Sequence, residues 1–210
     1  VPEIHILTAF LGASALLAIS PGPDLVLIST YSATRGFLAG FLIGLGIFIA
    51  GLIQTLLVAF GLGQIMQAMP LVAIVVKTVG ALYLAWLGFN LLRSWRANLS
   101  VQNTKPVTER LTPWQLLSRG LINNLMNPKA LLFFSLFLPQ FTTSTEPLMP
   151  QILLLGILLS TTALIVNTIF SLSFSRLGHV FKQPAALTRH SEGILGAIFL
   201  GLAARLATER

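Results

Sequence analysis

Cysteine is absent from this 210-residue chain. That removes disulfides, thiolate nucleophiles and cysteine-ligated metals together. Charge is nearly as scarce: Asp, Glu, Lys and Arg make up only 9% of residues, against about 25% in a soluble domain. His5, His179 and His190 are scattered, and no pair has metal-ligand spacing, so no metal and no other cofactor is expected. A glycine-rich phosphate loop ending in lysine is also missing, which excludes ATP as the direct energy source. No nucleophile–base set is visible at membrane depth, so the chain is not expected to be an enzyme.

What is present is grease. Hydrophobic residues make up 55% of the chain, and its mean hydropathy is +0.85. A chain this apolar cannot cover itself with polar side chains, so its solvent must be lipid. At roughly 20 residues per span, six helices with their loops fill the length. The expected fold is all-α integral membrane, one domain over residues 1–210. The first residues lack the basic region of a signal peptide, and the apolar stretch runs past Ala13-Ser14-Ala15, so it is read as a retained helix. The net charge of +7 would suggest nucleic acid in a soluble protein. Here the cations cluster in particular loops, which points to membrane orientation and not to nucleic acid.

The apolar runs predict helices over about Ile4–Ile28, Phe37–Leu62, Leu71–Leu92, Trp114–Phe141, Leu148–Phe174 and Ser191–Leu206. Lys and Arg fall at Arg35, at Arg93, Arg96, Lys105, Arg110 and Arg119, and at Arg176, Lys182 and Arg189. The odd-numbered loops are therefore expected on the cytoplasmic side, with both termini outside. Arg205 and Arg210 oppose this weakly. Trp86, Trp95 and Trp114 stand near the cytoplasmic ends of the third and fourth helices, where an aromatic belt belongs.

Three helices per half give the halves opposite orientations. The expected repeats cover about 4–92 and 114–207, joined by a polar cytoplasmic loop over about 93–113. Gly80-Ala81-Leu82-Tyr83-Leu84 echoes Gly196-Ala197-Ile198-Phe199-Leu200, and Gln54 and Asn167 form a candidate pair late in the second and fifth helices. Gly36, Gly40 and Gly44 recur every four residues, a spacing that permits close helix packing, within the chain or between copies. The fifth helix carries Ser160, Thr161, Thr162, Asn167, Thr168, Ser171 and Ser173, which either line a polar path or bond back to their own backbone.

Two polar breaks interrupt the first and fourth helices at similar places in the halves. The first is Ser20-Pro21-Gly22-Pro23-Asp24, the second Asn123-Asn124-Leu125-Met126-Asn127-Pro128-Lys129. Broken backbone at membrane depth is tolerated only where protein or a wet cavity receives the freed groups. Paired interruptions in two halves point to a transporter's binding site. Pro21 and Pro23 remove backbone donors and Gly22 loosens the chain between them. The half-helix beginning near Asp24 offers free N–H groups that attract a carboxylate. Asp24 at a helix centre costs roughly 2.5–3.5 kcal/mol on insertion scales. It is a candidate proton carrier or partner for a substrate ammonium. Alternatively, Ser20 and Asp24 only cap a kinked helix. Pro128 breaks the second ladder, and Asn124 and Asn127 can satisfy freed groups or bind substrate. Lys129 can hold a carboxylate, pair with Asp24, or snorkel to the headgroups. Lys77 is a third intramembrane charge, with snorkelling a serious competitor.

These residues carry a resemblance. Ser-Pro-Gly-Pro-Asp at 20–24, Lys77 with Gly80-Ala81-Leu82-Tyr83-Leu84-Ala85-Trp86-Leu87-Gly88, and Asn124-Leu125-Met126-Asn127-Pro128-Lys129-Ala130 followed by Phe133-Phe134 and Pro139-Gln140-Phe141 resemble the ordered motifs of the LysE/RhtB amino-acid exporters. The resemblance spans nearly the whole chain. It implies a six-helix, oligomeric exporter in the cytoplasmic membrane of a bacterium, moving an amino acid outward against proton entry. It also implies roles for Pro21, Gly22, Pro23, Asp24, Lys77, Asn127, Pro128 and Lys129. The rival expectations are a passive small-solute channel and a membrane scaffold subunit without transport.

Overall fold

The computed structural model describes residues 4–20, 22–97, 111–143 and 146–177, together with 197, 200, 201, 203 and 204. Among these residues every regular element is helical. The chain runs α1 (Ile4–Ile19), α2 (Pro23–Arg35), α3 (Phe37–Leu57), a π-helical turn (Val58–Leu62), α4 (Gly63–Ala68) and α5 (Pro70–Ala97). It continues as α6 (Pro113–Leu125), α7 (Pro128–Leu132), a second π turn (Phe133–Phe137), a 3₁₀ turn (Leu138–Phe141) and α8 (Leu148–Leu177). Among the described residues two helical stretches, Phe37–Met66 and Leu148–Arg176, are each long and apolar enough to cross a bilayer, and the count rises to four if each bent pair is one span. The expected sixth helix lies outside the described residues except at five helical positions.

Both expected breaks are real and bend the chain alike. The axes of α1 and α2 differ by 58°, and so do those of α6 and the helical stretch that follows Pro128. Local sequence explains each. At the first, Gly22 is extended (φ −173°, ψ 178°) and Pro23 opens α2 with its φ already helical. At the second, Asn127 precedes Pro128 and is pushed out of the helical region (φ −78°, ψ 109°). Its side chain then accepts a bond from the Lys129 amide at 3.0 Å, capping α7. The start of α6 is equally well specified. Thr112 and Gln115 exchange reciprocal bonds of 2.8 and 3.3 Å in a capping box, with Pro113 in the first turn.

Two apolar cores flank the plane of the breaks. One joins Phe10 of α1, Ala59 of the first π turn, Phe133, Phe137 and Phe141 beyond the second break, and Ile152 and Leu155 of α8. Its rings pack edge-on or offset: Phe10 lies 5.1 Å from Phe141 and 5.8 Å from Phe137. The π turn widens the helix locally and brings Phe133 and Phe137 to 3.9 Å. The other core joins Ile28 and Tyr31 of α2, Ile43 and Ile47 of α3, and Leu116 of α6. The outer surface stays greasy: Leu71, Ile74, Leu82, Trp86 and Phe89 recur along one exposed face of α5, as lipid solvation requires.

Glycine sets the closest approach. A Cβ at Gly46 would collide with the Leu117 carbonyl, and one at Gly120 with the Ile43 carbonyl. The α3 and α6 backbones therefore touch directly. Of the glycine stripe, Gly40 and Gly44 face Ser32, Ser171 and Asn167 within the same chain. Gly36 does not belong to that contact. It has open space around it and turns the chain between α2 and α3 at φ 85°, a conformation side chains resist.

Gly120→Ala should destabilise the detergent-solubilised protein by about 1–3 kcal/mol or more, because the obstacle is backbone. Gly12→Ala meets nothing within 4 Å and should be neutral or slightly stabilising. Thermal unfolding followed by size-exclusion fluorescence compares them, and equal losses would refute the backbone contact.

Candidate functional site

The two breaks close on each other. Asp24, in the first turn of α2, accepts at both carboxylate oxygens from the second break: Asn123 Nδ2 at 2.6 Å and Asn124 Nδ2 at 2.7 Å. In return, Lys129 Nζ donates to Ser20 Oγ at 2.9 Å. The partners are about 100 positions apart in sequence. Gln54 of α3 donates to the Asn124 carbonyl at 3.2 Å, one of the groups freed at the end of α6. Neither Ser20 nor Asp24 caps α2; the N-cap is Gly22, and it has no side-chain cap. The capping alternative therefore fails. Snorkelling fails for Lys129 as well, since its ammonium turns inward to Ser20.

Between the two cores lies a cavity of about 90 Å³. That is several times the roughly 30 Å³ share of one water, and far below the roughly 300–1,000 Å³ of a drug-sized pocket. Gly22, Asp24, Asn124, Asn127 and Lys129 line it from the breaks. Ser14 and Leu17 of α1, Phe48 and Gly51 of α3, and Phe134 beyond the second break form further walls. Ser160 and Asn167 of α8 complete the far side. The lining carries one carboxyl group, Asp24, and one amine, Lys129. Two deeply buried acceptors on this wall, Ser14 Oγ and Asn124 Oδ1, have no hydrogen-bond partner within the protein. Such groups cost free energy unless something polar occupies the cavity.

The sequence-expected residues thus divide. Gly22, Asp24, Asn124, Asn127 and Lys129 meet at one cavity, and Pro23 faces an outer groove beside them. Pro21 lies outside the described residues, as do the side chains of Pro128 and Lys77, although Lys77 is within α5 and Pro128 opens α7. Ser14 was missed because nothing marks one serine on a greasy helix. Asn123 stands in the second break, but its contact with Asp24 depends on which face of α6 it takes. Asn167 was visible as a polar residue in an apolar run. Ser160, Thr168 and Ser171 bond back to carbonyls four residues earlier at 2.7–2.8 Å, the ordinary behaviour of helix hydroxyls.

Comparison with known proteins bears on the family of the chain. The chain is 31% identical over 210 residues to an uncharacterised membrane protein of Vibrio cholerae, covering 99% of each chain. It is 30% identical over 208 residues to a homoserine/homoserine lactone efflux protein of Salmonella typhimurium, covering 96% of each. It is also 30% identical over 204 residues to a leucine efflux protein of Salmonella choleraesuis, covering 95% of this chain and 93% of that one. No solved structure matches. The family model described as LysE type translocator matches residues 15–210. Broken helices, the buried Asp24–Lys129 cavity and these matches lead to one conclusion: the chain is a membrane protein that belongs to the LysE type translocator family.

Proposed function

We propose that the chain is a secondary transporter that exports a free, uncharged-side-chain amino acid or close derivative across the bacterial cytoplasmic membrane by proton antiport. The observation that carries this is the cavity with one carboxylate, one ammonium and two unsatisfied buried acceptors. A zwitterion matches that set. Its carboxylate goes to Lys129. Its ammonium goes to Asp24, with Asn124 Oδ1 and Ser14 Oγ as further acceptors. Both lining charges are then used, so a charged side chain would have no partner and would meet Leu17, Phe48 and Phe134 instead. The relatives named for homoserine and leucine efflux support the substrate class.

Asp24 takes the proton when the substrate leaves and surrenders it inside, so one site serves cargo and coupling ion alternately. The potential helps, since one proton moving inward through 100 mV releases about 2.3 kcal/mol. The equal 58° bends support two three-helix repeats of opposite orientation, rocking about the breaks. In this reading the Arg35 and Arg119 side faces the cytoplasm.

Counterflow in proteoliposomes, with and without an imposed pH gradient, tests the proposal. Wild-type flux of leucine or homoserine should saturate and rise with the gradient. Asp24→Asn should lose the response to the gradient. Lys129→Gln should weaken substrate binding roughly tenfold or more, the loss of one charge-assisted bond. Flux indifferent to the gradient removes the antiport; unsaturable flux removes the carrier.

A further inference from the structure

A second, larger recess adjoins the same breaks. It is an open groove of about 450 Å³, lined by Pro23, Leu27, Arg119, Ile122, Asn123 and Met126, with Asn127 shared with the inner cavity. The groove is lined by α2, by α6 and by Met126 and Asn127. The inner cavity shares α2 and α6 through Asp24, Leu25 and Asn124 but also takes walls from α1, α3, α8 and the chain after Pro128. Asn123 lines the groove and Asp24 the cavity, so the Asn123–Asp24 bond spans the boundary between the two linings.

Arg119 stands at the outer end of this groove. It is eight residues before Asn127, about 12 Å along a helix axis. If the breaks sit at mid-bilayer, that is near the edge of a hydrocarbon layer about 30 Å thick. Its guanidinium is exposed yet held in place: it donates to the Tyr31 hydroxyl and lies 5.8 Å from the centre of that buried ring. Tyr31 is in turn fixed in the core beside Ile28 and Ile43. About one helical turn further along α6 is Asn123, whose amide donates to the Asp24 carboxylate. Leu27, Ile122 and Met126 make the sides apolar.

We propose that this groove is a separate, low-affinity access site for the amino acid, with Arg119 as the anchor of its carboxylate. The assignment rests on the export reading above and adds a station to it. A zwitterion held at Arg119 by its carboxylate points its ammonium inward, toward Asn123 and Asp24. Its apolar side chain lies along Leu27, Ile122 and Met126. When the ammonium reaches Asp24 it competes with the Asn123 and Asn124 amides for the carboxylate, and the partition between the two spaces opens as that bonding is replaced.

The absence of native cysteine permits a direct test. Met126→Cys places one thiol in the groove, and Leu38→Cys places one on an exposed face of α3 as a control. Each variant, reconstituted in liposomes, is reacted with a charged, membrane-impermeant methanethiosulfonate. L-Leucine, L-homoserine or leucinamide is present or absent. The expected result is that Met126→Cys reacts, that leucine or homoserine slows the reaction, and that leucinamide, which has no carboxylate, does not. Adding Arg119→Gln should raise the protecting concentration roughly tenfold or more, while Arg119→Lys retains part of the protection. A thiol inaccessible to the charged reagent, no protection by either amino acid, equal protection by leucinamide, or protection unchanged in Arg119→Gln would each overturn the site. Counterflow by the wild-type protein is measured alongside. Flux without protection sinks the groove alone, and protection without flux supports the groove while sinking export.

Discussion

Everything in this molecule depends on a carboxylate and an ammonium meeting at two breaks in apolar helices without either being stranded. Each would be costly there alone. The protein meets the cost by crossing its obligations: Asp24 of the first break is bound by Asn123 and Asn124 of the second, and Lys129 of the second is bound by Ser20 of the first. Each break thus draws side-chain bonds for its charge from the other, which links assembly of the two halves to completion of the site.

The same economy governs the backbone. Every interruption frees carbonyls and amides that lipid cannot solvate. Gln54 reaches the Asn124 carbonyl, and the Asn127 side chain takes the Lys129 amide. Some buried acceptors stay unmatched, and those of Ser14 and Asn124 line one small cavity. Two of the unmatched groups thus stand where a polar visitor would supply the missing bond.

Much of this was legible in the sequence because the membrane makes polarity conspicuous. Proline, glycine and a carboxylate inside a greasy run can only be a break, and Asn-Pro can only be a cap followed by a first turn. The breaks came within a residue or two, as did the starts of the second and fifth expected helices at Phe37 and Leu148. Relations between helices were not legible. That Gly36 turns the chain while Gly40 and Gly44 pack it is invisible in an evenly spaced stripe. That Asn123 and Asn124 straddle one carboxylate depends on a rotation about the α6 axis. The π turns at Val58–Leu62 and Phe133–Phe137 leave no local signature, because they arise from packing and not from propensity.

The bare contacts of Gly46 with Leu117 and of Gly120 with Ile43 have one further effect. Side chains usually act as bearings between helices, letting one surface shift by changing rotamers. Here carbonyl meets carbon with nothing in between, and translation along the seam would drive backbone atoms into one another. α3 and α6 are thereby held in one register along the seam. The rocking of the halves proposed above must then turn about that seam without sliding along it.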